Sequence, residues 1–84
     1  MTDTFRVYGS EQHGYGVVEV VKNKPYAVYD NEADTPQWVA QEIADIYNKG
    51  FTVPDGVEEW DFVASILSSR GIVFGADGKW SKTP

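Results

Sequence analysis

Cysteine is missing from all 84 residues, so disulfide staples, thiolate metal sites and cysteine nucleophiles are excluded together. Histidine occurs once, as His13, which rules out a multi-histidine metal site and leaves any carboxylate-only site to hard cations such as calcium or magnesium. Leucine also occurs once, against eleven valines and twelve aromatics, a balance that favours pleated, half-buried strands over long helical bundles. No stretch approaches the ~18 apolar residues of a membrane helix, and the N-terminus has no basic region followed by an apolar run. No Asn-x-Ser/Thr sequon occurs. A cytoplasmic protein with no membrane partner is the expectation.

What is present fits one small α+β domain over residues 1–84, with 42% apolar and 24% charged residues. Phe5 and Val7 alternate with Arg6 and Tyr8, as a half-buried strand requires, and a valine-rich run from Tyr15 to Val21 reads as a second strand. Lys22-Asn23-Lys24-Pro25 reads as a turn and Tyr26 to Tyr29 as a third strand, which gives a three-stranded antiparallel meander. If Val21 opposes Tyr26, then Tyr15, Val17, Glu19, Val21, Tyr26 and Val28 share one face, and Gly16, Val18, Val20, Ala27 and Tyr29 share the other. One face is expected under helices; the other packs against the C-terminal segment or stays open for a partner.

Thr35-Pro36 predicts a helix start, with the hydroxyl capping free N–H groups and proline at the first helical position, and Gly50 predicts its stop. Val39, Ala40, Ile43, Ala44, Ile46 and Tyr47 fall on one arc of that helix, and Gln37, Gln41, Glu42, Asp45, Asn48 and Lys49 on the opposite one. After a connection over residues 51–56, a second helix is expected from about Val57 to Arg70, burying Val57, Trp60, Val63, Ala64, Ile66 and Leu67. Its outer arc holds Glu58, Asp61, Ser65, Ser68 and Ser69. Ile72 to Phe74 and Lys79-Trp80, joined by Gly75-Ala76-Asp77-Gly78, suggest a short C-terminal strand or hairpin.

Few residues carry a chemical signature. The run Asp30-Asn31-Glu32-Ala33-Asp34 alternates acids as a calcium loop does, but lacks the glycine and the terminal glutamate at the required offsets, and reads as a solvated acidic loop. Ser10 lies three residues from His13, a proximity that polar residues in loops reach by default. His13-Gly14-Tyr15-Gly16 is followed by neither a Walker-type Gly-Lys-Ser/Thr nor a strand-to-helix context. No catalytic residue, metal ligand or cofactor is assigned.

Charge is more informative. Residues 30–61 hold nine acids against one base, Lys49, while the rest of the chain holds four acids and six bases, so the net charge of −6 arises from one contiguous half. Direct nucleic-acid binding is disfavoured, because phosphates require a basic face, whereas an acidic face attracts a protein partner with a basic surface. Within that half Trp38 breaks the helical pattern. It falls in the polar arc, among Gln41, Glu42 and Asp45, so it is either covered by a neighbouring segment or serves as an interface anchor ringed by charge. Trp60 falls on the buried arc of its helix and reads as core. The expected protein-binding residues are Trp38, Gln41, Glu42, Asp45, Asp34, Glu58 and Asp61.

These features together favour a small non-catalytic protein-binding module. A compact, acidic, cysteine-free chain without a catalytic signature is similar in style to small accessory proteins of phages and mobile elements. That resemblance implies an inhibitor that occupies the basic surface of a host nucleic-acid-binding or defence protein. Two alternatives stay open: a homodimeric structural protein pairing through a sheet edge, and a small enzyme or ligand-binding domain whose site is assembled from scattered residues.

Overall fold

The protein is an α+β fold: a three-stranded antiparallel sheet, two helices and a two-stranded antiparallel hairpin, in that order. The computed structural model describes residues 4–32 and 34–83. Residues 1–3, Ala33, which is the fourth residue of the acidic run, and Pro84 lie outside that description. Strands β1 (Phe5–Ser10), β2 (Gly14–Val21) and β3 (Lys24–Glu32) pair in the order β1-β2-β3. Helices α1 (Gln37–Lys49) and α2 (Glu59–Ser69) follow, and β4 (Ile72–Phe74) pairs with β5 (Trp80–Lys82).

The β2–β3 turn is tighter than its sequence implies. Only Lys22 and Asn23 form it, both at positive φ (51° and 66°), as a two-residue type I′ turn requires. Lys24 and Pro25 therefore belong to β3, whose outer edge needs no proline N–H. Val21 opposes Lys24, not Tyr26, and Tyr26 opposes Glu19. Register shifts then interrupt the ladder twice, and past the first one Tyr29 lies opposite the fully buried Val17. Tyr29 thus joins the core face, contrary to strict alternation. The run Asp30-Asn31-Glu32 ends β3 and is not a free loop.

Gly16 makes this irregularity possible. A Cβ there would collide with the Tyr29 carbonyl oxygen and stand 2.7 Å from the Asn31 nitrogen and 2.8 Å from the Tyr8 ring. Tyr8 reaches across the strand, and its hydroxyl accepts a hydrogen bond from the Asn31 main-chain N–H at 2.9 Å, satisfying a donor in the irregular stretch of β3.

Helix α1 lies across β1 and β2 with the expected phase: Val39, Ala40, Ile43, Ala44 and Ile46 are buried, and they join Val17, Val63, Leu67 and Ile72 in one core. Gly50 ends it at φ 80°, its N–H bonding back to the carbonyls of Ile46 and Tyr47. The start differs from expectation. Pro36 is the N-cap, with no side-chain cap, and the buried Thr35 hydroxyl pairs instead with the Tyr29 hydroxyl at 3.1 Å. The Asn48 side chain, at the far end of α1, accepts from the Phe5 N–H and donates to the Phe5 carbonyl, each at 3.0 Å, so it occupies the main chain of β1 as a neighbouring strand would.

Aromatic rings supply the bulk that a single leucine cannot. Phe5 stacks on Tyr47, Tyr47 meets Phe51 edge-on, and Phe51 stacks on Phe62, with centroids 5.0, 5.2 and 5.6 Å apart. This chain of rings ties β1 to the end of α1, the following connection and α2. Helix α2 is shorter than its periodicity suggests; Glu58 is its N-cap and Val57 is exposed outside it. The sheet face opposite α1 leaves Val18 and Val20 half-buried and Arg6 and Ala27 exposed.

Candidate functional site

The main correction to the expected core is Trp60. It is 39% exposed, and only Val63 and Leu67 of α2 are fully buried. Its indole stacks on Tyr29, with centroids 5.0 Å apart and planes at 28°. Tyr29 is in turn fixed through its hydroxyl to buried Thr35.

Around this stacked pair the surface is concave. One groove, of about 510 Å³, runs between the end of β3, α2 and the β4–β5 hairpin. Its floor includes Leu67 and Ile72, its walls Trp60, Phe74 and Trp80, and its rim the exposed carboxylates Glu32 and Asp34. Phe74 is 49% exposed and meets Trp80 edge-on at 5.2 Å. A smaller groove, of about 280 Å³, also borders Tyr29 and Trp60 and runs past Asp30, Glu32 and Glu59. Among the described residues, no lysine or arginine lines either groove. Burial raises the Tyr29 hydroxyl above the usual tyrosine value; the nearby charges of Glu32 and Asp34 raise it further, while the Thr35 hydrogen bond opposes both.

The expected site residues divide. Asp34 lies on the rim of the aromatic groove. Glu58 and Asp61 are exposed at the start of α2, on either side of Trp60 in sequence. Trp38 is 40% exposed and, among the described residues, stacks on no other ring. Gln41 faces a polar groove beside β1. Glu42 and Asp45 do not present free charge. The Arg70 guanidinium, just past α2, donates from Nη1 to Glu42 Oε1 at 3.0 Å and to Asp45 Oδ2 at 3.1 Å, and Lys49 Nζ lies 3.3 Å from Asp45 Oδ2. The charged surround expected for Trp38 is thus largely offset by two cations, one of them far away in sequence. Burial alone would raise the Asp45 carboxyl, but the hydrogen bonds from Arg70 and Lys49 outweigh it and hold Asp45 below its ordinary value.

Sequence reasoning missed Trp60, Tyr29, Glu32 and Trp80 as site residues. The available signal was the density of acids around an aromatic pair, Glu58-Glu59-Trp60-Asp61 and Tyr29-Asp30, which helical phase alone overrode. Ser10 and His13 do meet, but the Ser10 hydroxyl accepts from the His13 main-chain N–H at 3.2 Å, a turn contact that leaves the imidazole out. Comparison with protein-family models, with characterised proteins and with solved structures finds no match.

Proposed function

We propose that this chain is a small, non-catalytic, cytoplasmic protein-binding module, and that it docks a partner with a basic surface in the acid-rimmed aromatic groove. The observation that carries this reading is the coincidence of exposed aromatic surface at Trp60 and Phe74, beside the half-buried Trp80, with the unneutralised carboxylates Glu32 and Asp34. An apolar centre with a charged rim is the composition of a binding hot spot, in which the rim steers encounter and the aromatics slow dissociation. In this reading the partner is a nucleic-acid-binding or defence protein whose phosphate-binding face is occupied, which makes the chain an inhibitor in the manner of phage accessory proteins.

Catalysis is the weaker reading, since His13, the one imidazole, lines neither groove beside Trp60. Pairing through a sheet edge is also disfavoured. Pro25 and two register shifts interrupt β3, and Asn48 occupies the main chain of Phe5 in β1.

The test is affinity capture from cells of origin with two baits, the natural chain and the doubly reversed Glu32→Lys/Asp34→Lys. The expected result is one basic protein retained in near-equal molar amount on the first bait, released by salt, and missing from the second. Equal retention on both baits, or no basic protein on either, would overturn the reading.

A further inference from the structure

We infer that the groove recognises arginine in an extended segment of the partner, with the guanidinium laid against the exposed face of Trp60 and held by the carboxylates of Glu32 and Asp34. This inference rests on the docking reading above and names the side chain that the site selects. Three observations carry it.

Trp60 is a prepared surface. One face of its indole is taken by Tyr29, which is itself fixed by the Tyr29–Thr35 hydroxyl contact, so its orientation is set before a ligand arrives. A planar cation can then stack on the other face with little loss of side-chain freedom. Arginine suits this better than lysine because its guanidinium stacks flat and is more weakly hydrated.

The rim supplies matching acceptors. Glu32 and Asp34 are exposed, neither makes an ion pair among the described residues, and their oxygens can receive the forked N–H donors of a guanidinium. Glu42 and Asp45 provide an internal precedent, since this same chain already holds one arginine, Arg70, between two carboxylates. That pair is occupied; the pair beside Trp60 is open.

The two grooves that border Trp60 share Tyr29, Glu32 and Trp60, so the site is an open trough and not a closed pouch. A trough suits an extended chain in which alternate side chains point down. The apolar end, at Phe74, Trp80, Ile72 and Leu67, would take an aliphatic neighbour of the arginine.

The test is calorimetric titration with two defined peptides at low salt, one alternating arginine with valine and one with every arginine replaced by lysine. The natural chain should bind the arginine peptide at least about threefold more tightly than the lysine peptide. Glu32→Gln/Asp34→Asn, both at exposed positions, should weaken the arginine peptide about tenfold or more without altering the melting temperature, and Trp60→Leu should abolish the preference for arginine. Equal affinity for the two peptides, or unchanged arginine binding in the neutralised variant, would overturn the inference. If the partner captured above is lost on charge reversal while the arginine peptide does not bind, the arginine assignment falls and the docking reading stands.

Discussion

The indole of Trp60 and the ring of Tyr29 stack at 5.0 Å across the junction of α2 and β3, and the Tyr29 hydroxyl is joined to the buried hydroxyl of Thr35. A polar contact below therefore fixes an exposed aromatic above. Tyr29→Phe keeps the stack but leaves the Thr35 hydroxyl, on a residue only 2% exposed, without that partner, which should cost about 1–2 kcal/mol in urea denaturation. Adding Thr35→Val, which removes the stranded hydroxyl, should recover much of the loss. A double variant no more stable than Tyr29→Phe would show that the hydroxyl pair does not hold the platform.

Arg70 tethers the end of α2 to α1 through Glu42 and Asp45, with its side chain 28% and that of Glu42 29% exposed. Arg70→Met should lower stability by about 1 kcal/mol or less after screening, with a smaller difference at high salt. Glu42→Lys/Asp45→Lys should likewise destabilise the fold, because it sets new cations against Arg70; on the sequence alone this arc is expected to be nearly silent. Chemical denaturation of both variants at two salt concentrations checks this.

The same tether gives a pH dependence at its acid end. The folded Asp45 carboxyl is held below its ordinary value of 3.8, so it binds fewer protons than in the unfolded chain; its stabilisation is present above that value and is lost as pH falls through the lower, folded one. At the alkaline end, burial raises the hydroxyls of Tyr29 and Tyr47 above 10.0, with the Glu59 hydrogen bond also raising Tyr47, so folding favours their neutral forms. That contribution is present below pH 10 and is lost as pH rises above it. Melting temperatures should thus fall at both ends, and Asp45→Asn should flatten only the acid limb.

Gly16→Ala should be among the most damaging single-methyl additions to the sheet. The new Cβ would meet the Tyr29 carbonyl and the Asn31 nitrogen, both backbone, so neither can swing aside as a side-chain tip would. A loss of about 3 kcal/mol or more is expected, against a small change for Gly56→Ala, where a Cβ meets nothing within 4 Å and only its positive φ adds strain. Equal losses would mean that the close approach of the Tyr29–Asn31 backbone to Gly16 is not constraining.

Helix α1 was the most legible element, because its apolar spacing, Pro36 and Gly50 all act within one segment and agree on one phase. The meander was legible in order but not in register: the choice between a turn at 22–25 and one at 22–23 depends on two left-handed residues, neither of them glycine. The shift that carries Tyr29 to the face of Val17 is set by the close packing of Tyr8, Gly16 and Asn31, which no local pattern encodes. The helical period assigns Trp60 to the buried arc, yet period alone does not say whether a neighbouring element covers that position, and Trp60 is exposed. Arg70 joins Glu42 and Asp45 over 28 and 25 residues of sequence, so the neutralisation of the Trp38 surround could not be read locally.

The most direct measurement is a titration of the captured basic partner into the natural chain, labelled so that the indole N–H signals of Trp38, Trp60 and Trp80 are followed separately by nuclear magnetic resonance. Docking in the acid-rimmed groove predicts that the Trp60 and Trp80 signals shift saturably, that Trp38 stays in place, and that Glu32→Lys/Asp34→Lys removes the shifts. Movement of the Trp38 signal with Trp60 and Trp80 unchanged would contradict it and return the interface to the outer arc of α1.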